Sequence, residues 1–136
     1  MLVLATSKNA LELSEEDFTL IDALTALGVT AKLVAWDDPD FEWMQASHVL
    51  MRTTWDYHLR LGEFMEWLDR VSARSTVWNS PALIRWNCDK RYLLELEAAG
   101  VPIVATHLAT EELDVSAACL ALGLEFLVSR RAHQRA

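Results

Sequence analysis

The chain has 136 residues, a formal net charge of −8 and 52% apolar residues, enough for one compact domain with a core and too apolar for a disordered chain. Its acidity argues against nucleic acid or an anionic membrane surface as a partner, since both require clustered Lys and Arg. No apolar run reaches the length of a membrane span, and the opening "MLVLAT" is too short and lacks the basic flank of an export signal. The apolar run "LVLAT" (2–6) predicts a buried strand. In "SEEDFTLIDALTALG", Ser14 and Asp17 stand at capping-box spacing. Leu20, Ile21, Leu24 and Leu27 recur at helical spacing, and Gly28 suits the stop.

"TAKLVAW" (30–36) predicts a second strand, closed by the turn-like "DDPD", and "SHVLMR" (47–52) a third. A helix follows in which Leu61, Phe64, Leu68 and Val71 share a face, with Glu63, Glu66 and Asp69 mostly opposite. "STVWN" (75–79) predicts a fourth strand, ended by a break at "SPALI". "NCDKRYLLELEAAG" predicts a third helix with Gly100 at its end, and "VPIVAT" (101–106) another strand. "TEELDVSAACLALG" and "LEFLV" predict a last helix and strand, and "SRRAHQRA" reads as a loose basic tail. The acidic "SEED" and "TEEL" turns read as dipole-complementary helix starts, not metal sites.

Alternation of strands and helices predicts an α/β fold, a mostly parallel central sheet with helices on both faces. Ligands of such sheets bind beyond the carboxyl ends of the strands. Arg52, Trp55, Asp56 and Tyr57 follow the third strand and Asn79 the fourth, so both groups belong at that edge. The four glycines form no phosphate-cradling loop, and neither a GxGxxG nor a Walker A pattern is present. No nucleophile elbow appears. The scattered His48, His58, His107 and His133 lack metal-ligand spacing, and Cys88 and Cys119 read as reduced thiols of a cytoplasmic protein.

Two stretches go further. "HVLMRTTWDY" and "WNSPALIRWNCDKRYLLELEAAGVPIVAT" together resemble the N-terminal part of ATP-grasp ligases, in the group of prokaryotic glutathione synthetase and the D-cycloserine-forming cyclo-ligase. The matching positions are Arg52, Asn79 with Pro81, Asn87 with Lys90, Gly100-Val101-Pro102 and Thr106. The resemblance implies a Rossmann-like pre-ATP-grasp domain over 1–106 and a fragment of the central ATP-grasp domain over 107–136. It implies an enzyme that makes an acyl phosphate from ATP and a carboxylate, which an amine then attacks. ATP and magnesium serve the intact enzyme, with neither expected to bind this chain tightly. Lys90 is the implied nucleotide-phosphate contact. Arg52, Trp55, Asp56, Tyr57 and Asn79 face a small carboxylate or amino-acid-like substrate. After "LEFLV" the family's Lys-Pro pair is replaced by Ser129-Arg130-Arg131. The expectation is therefore a truncated N-terminal piece, inactive alone, with no catalytic residue or metal ligand of its own.

Each residue also has a plainer reading. Lys90 reads equally as a solvated lysine near a helix start. Arg52 reads as a structural cation paired with Asp56 or another carboxylate, or as a bidentate carboxylate binder. Trp55, Trp78 and Trp86 read first as packing residues, Asp56 as a turn or capping residue, and Asn79 as a loop residue bonded to backbone. Against the ligase stands a non-catalytic α/β interaction module, with a stand-alone nucleotide-binding module the weaker third. Apolar surface left bare by truncation predicts a homo-oligomer.

Overall fold

The computed structural model describes residues 1–8 and 15–106. Its elements are β1 (Leu2–Thr6), α1 (Glu15–Ala26), β2 (Ala31–Ala35), β3 (His48–Met51), α2 (Leu61–Ser72), β4 (Thr76–Trp78), α3 (Pro81–Cys88) and α4 (Tyr92–Ala98). The four strands form one sheet in the order β2-β1-β3-β4, parallel throughout. From β1 the chain passes outward through α1 to β2, then returns to β3 and passes outward the other way through α2 to β4. Right-handed crossovers in opposite directions put α1 and α2 on opposite faces, and the α/β sandwich expected from the sequence results. Among the described residues no helix is long and apolar enough to cross a membrane.

The core follows from the strand register and one helix face. Val3, Leu4 and Val49 are fully buried in the central strands, as apolar runs with helices on both sides require. On α2 the buried residues are Phe64, Trp67, Leu68 and Val71; three of the four predicted stripe residues are buried, Trp67 joins them, and Leu61 at the helix start is only half-buried. The return from β2 to β3 crosses this helix: Trp43 packs edge-on against Trp67 at 4.9 Å, and Phe41 against Trp43 at 5.0 Å. Helix α1 ends as its sequence predicts. Gly28 takes φ 76°, Gly28 N–H donates to Thr25 O and Val29 N–H to Leu24 O, the paired bonds of a Schellman motif.

The chain divides into two compact units, Met1–Arg85 and a second beginning at Trp86, and two expectations are corrected around that division. "SPALI" follows the end of the fourth strand, as expected, and also starts α3. Ser80 Oγ accepts the Leu83 N–H at 3.2 Å, and Pro81 sits in the first helical position, where its missing N–H costs nothing. The helix expected over "NCDKRYLLELEAAG" is instead the end of α3 and a separate α4. Asp89 interrupts it by accepting the Arg91 backbone N–H at 3.0 Å, the local side-chain bond with which aspartate competes against a helix. Residues 101–106 form no strand. Val104 is 85% exposed, and among the described residues no neighbour pairs with this segment, without which an apolar run cannot be a strand. The last predicted helix and strand, and the basic tail, lie outside the described residues.

Candidate ligand-binding edge

The strand order reverses between β1 and β3, and the carboxyl edge at such a switch point is where ligands of open α/β sheets bind. Thr6 and Ser7 stand there at the exit of β1, Arg52 and Thr53 at the exit of β3. The two exits are stitched together. Arg52 N–H donates to Ala5 O at 3.0 Å and Ser7 N–H to Thr53 O at 3.1 Å. Ser7 Oγ also donates to Thr53 O at 3.1 Å, and the Thr6 and Thr53 hydroxyls share a hydrogen bond.

Beneath them lies Asp17, in the first turn of α1 and 0% exposed. Arg52 Nε donates to Asp17 Oδ1 at 2.6 Å and Thr53 Oγ1 to Asp17 Oδ2 at 3.3 Å. Arg52 is thus paired with a carboxylate, but with Asp17 and not Asp56. The capping-box reading of Asp17 missed this contact across 35 positions of sequence. The Arg52 side chain remains 35% exposed.

Asp56 belongs to a second cluster at the exit of β2. Its Oδ1 accepts Trp36 Nε1–H at 2.9 Å and its Oδ2 accepts Arg60 Nη2–H at 2.8 Å. Arg60 also reaches Asp37 at 2.8 Å, and its guanidinium lies 4.6 Å from the Trp36 ring centre. Lys8 stands 3.8 Å from Asp37. Burial pushes the Asp56 carboxyl up, but the hydrogen bonds from Trp36 and Arg60 outweigh it and hold the pKa below the ordinary 3.8. The bond to Asp56, then that to Asp37, raises the Arg60 pKa. A depressed carboxyl stabilises the fold above its unfolded pKa and loses that contribution as pH falls through the folded value. The Tm difference between the native chain and Asp56→Asn should therefore hold steady from pH 7 to 5 and shrink once pH drops below 3.8. Paired thermal melts across that range check it.

The remaining predicted residues divide by exposure. Tyr57 packs its ring 5.4 Å from Phe64. Trp55 and Trp78 are 65% and 58% exposed, which corrects the packing reading of both. Trp78 ends the edge strand β4, while α1 packs on β2 at the other side of the sheet; Trp55 stands in the tight turn after β3. Trp86 does pack, 4.8 Å from Tyr92. Asn79 directly follows β4, at the same edge as Arg52 because β3 and β4 are parallel with Leu50 opposite Trp78. It takes φ 59°, a left-handed conformation that asparagine tolerates better than most residues. Lys90 lies between α3 and α4, directly before Arg91, the N-cap of α4, and so near a helix start as expected; it donates to Asn87 O at 3.0 Å with its Nζ 5.4 Å from the Tyr92 ring centre. A cation there complements the carbonyl end of α3.

Comparison with known proteins decides the family. Residues 2–79 match the family model for the N-terminal domain of D-cycloserine synthetase DcsG. The chain belongs to that family. It is 32% identical over 118 residues to the cycloserine biosynthesis protein DcsG of Streptomyces lavendulae, an alignment covering 87% of this chain and 40% of the relative. A crystal structure of D-cycloserine synthetase DcsG superposes with a TM-score of 0.74 at 32% identity, covering 88% of this chain and 40% of that one. The chain thus spans about 40% of the length of these relatives. The matched region contains both strand exits, Asp17, Arg52 and Asn79. Thr6, Ser7, Thr53 and Trp36 were not singled out from sequence, and Asp17 only as a capping residue. The one available signal was a Thr-Ser pair closing the first apolar run.

Proposed function

We propose that this chain is the substrate-facing N-terminal part of an ATP-dependent carboxylate–amine or cyclising ligase that works through an acyl phosphate. Membership of the DcsG family supports it. So does one structural observation: Arg52 and Asn79 leave adjacent parallel strands at the carboxyl edge, with Arg52 partly exposed beside the switch point. In this reading Arg52 and Asn79 meet a small carboxylate or amino-acid-like substrate, Trp55 walls the edge, and Asp56 and Tyr57 brace the loop between them. Kinship with prokaryotic glutathione synthetase and a cytoplasmic location belong to the same proposal.

Lys90 donates to the Asn87 carbonyl, and an ammonium group has three N–H donors, so a phosphate contact by Lys90 stays part of the proposal. Among the described residues no three His, Cys, Asp or Glu side chains gather as a metal site. The described residues thus offer no complete protein ligand set for a metal, and magnesium in the intact enzyme would be held by one or two carboxylates with the nucleotide phosphates. The expected outcome is that the 136-residue chain alone releases no phosphate from Mg-ATP at enzymatic rates. A phosphate-release assay checks this, and turnover abolished by Lys90→Ala would contradict it. Exchanging the chain for the matching segment of the Streptomyces lavendulae relative tests the function itself. A folded, ATP-dependent ligase supports the reading, and a folded but inactive graft contradicts it.

The exposed Trp55 and Trp78 favour a second reading, an interaction module that self-associates through this surface. Light scattering that gives a dimer disrupted by Trp78→Ser would support it.

A further inference from the structure

The Arg52–Asp17 pair is asymmetric in a way that a purely structural ion pair need not be. The carboxylate is fully buried, while the guanidinium is about one-third exposed. Asp17 spends one oxygen on Arg52 Nε and the other on the Thr53 hydroxyl, so the two-pronged pairing of a carboxylate with Nε and Nη is not made. Among the described residues the Nη groups of Arg52 have no hydrogen-bond partner. The pair is a dipole with its negative end inside the fold and its positive end outward.

The surroundings fix that dipole. Arg52 N–H is tied to Ala5 O. Thr53, which shares Asp17, is held by the Thr6 hydroxyl and by Ser7. Asp17 itself comes from the first turn of α1, so three elements converge on one side chain. An arginine held by its inner edge loses little further rotamer freedom when a planar anion docks on the outer one, and this pre-organisation is where affinity is gained.

We infer that Asp17 is a positioning residue: it holds Arg52 by Nε so that the Nη edge is presented, already ordered, to a substrate carboxylate at the carboxyl edge between β1 and β3. The Thr6, Ser7 and Thr53 side chains complete the brace. This rests on the reading of Arg52 as the carboxylate contact, and the experiment separates the two.

The full chain with 13C,15N-labelled arginine is titrated with serine, and with acetate as a plain carboxylate, while the Arg52 Nε–Hε and Cζ resonances are followed. Saturable movement of Cζ, with Nε–Hε staying in place, is expected. Asp17→Asn should weaken serine binding about 10-fold or more at a temperature where circular dichroism reports an intact fold. If neither probe moves the Arg52 signals, or if Arg52→Lys binds serine equally well, the reading of Arg52 itself fails. If serine binds through Arg52 but pulls Nε–Hε away from its position, Asp17 is a competitor for the guanidinium and the inference alone is overturned. Unchanged affinity in folded Asp17→Asn overturns it equally. Should Asp17→Asn not fold, the Nε–Hε response of the native chain decides.

Discussion

Phe64→Ala is expected to lower stability by about 3–5 kcal/mol, the usual cost of emptying a phenylalanine site in a close-packed core. Phe64 is buried on α2 and touches three rings: Trp36 edge-on at 5.3 Å, Tyr57 at 5.4 Å and Trp67 at 5.4 Å. Rigid aromatic walls collapse poorly into a cavity, which places the cost toward the upper end. The loss should reach the carboxyl edge as well, because Trp36 carries the Nε1–H that holds Asp56. Phe64→Leu keeps most of the volume and should cost about 1.5 kcal/mol or less. Urea denaturation of both variants gives the comparison; a shift in midpoint without change in slope identifies a stability effect.

Arg52→Ala is expected to cost about 3 kcal/mol, the lower end for breaking a buried ion pair by removing one member. The Asp17 carboxylate would remain fully buried with its strongest contact gone, keeping the weaker bond from Thr53 at 3.3 Å. Arg52 is partly exposed, so water can enter the vacated space and soften the penalty. Replacing both residues at once, Asp17→Leu with Arg52→Met, should cost less than Arg52→Ala alone, since no buried charge is left behind. A double-mutant cycle in urea measures the coupling. Additive losses would mean that the 2.6 Å contact contributes nothing to folding.

The parts of the fold visible in sequence are those set by local pattern. Four apolar runs became four strands, and the spacing of Phe64, Leu68 and Val71 gave most of the buried face of α2, to which the structure adds Trp67 and from which it drops Leu61. Gly28 and Gly100 marked helix ends, each with a positive φ. Where several local signals compete, sequence reading went astray. Ser80-Pro81 follows a strand end and also caps a helix and supplies its first residue, and only the Leu83 N–H bond reveals the second role. Asp89 looked like one more polar residue inside a helix until its bond to the Arg91 backbone appeared. Val101 to Thr106 had the composition of a strand, but a strand is a relation to a neighbour.

The site was legible as a location more than as a set of contacts. That Arg52 and Asn79 share an edge follows from two parallel strands and their exits. That Arg52 is held by Asp17, and Asp56 by Trp36 and Arg60, follows from tertiary approach between segments far apart in sequence, which periodicity cannot report. Trp55 and Trp78 show the converse. Their composition suggested burial, yet a position in a turn or on an edge strand leaves an indole in water however apolar it is.

In the proposed function the carboxyl edge of this sheet meets the substrate of a DcsG-like ligase through Arg52. Its most direct test is steady-state kinetics of the graft in which this chain replaces the matching segment of the Streptomyces lavendulae relative, with and without Arg52→Lys. Lysine keeps the charge near Asp17 but loses the planar fork. With Arg52→Lys the KM for the carboxylate substrate should rise about 10-fold or more, while the KM for ATP stays unchanged and the Tm stays close to that of the parent graft. An active graft whose KM for the carboxylate substrate is unaffected by Arg52→Lys would contradict it.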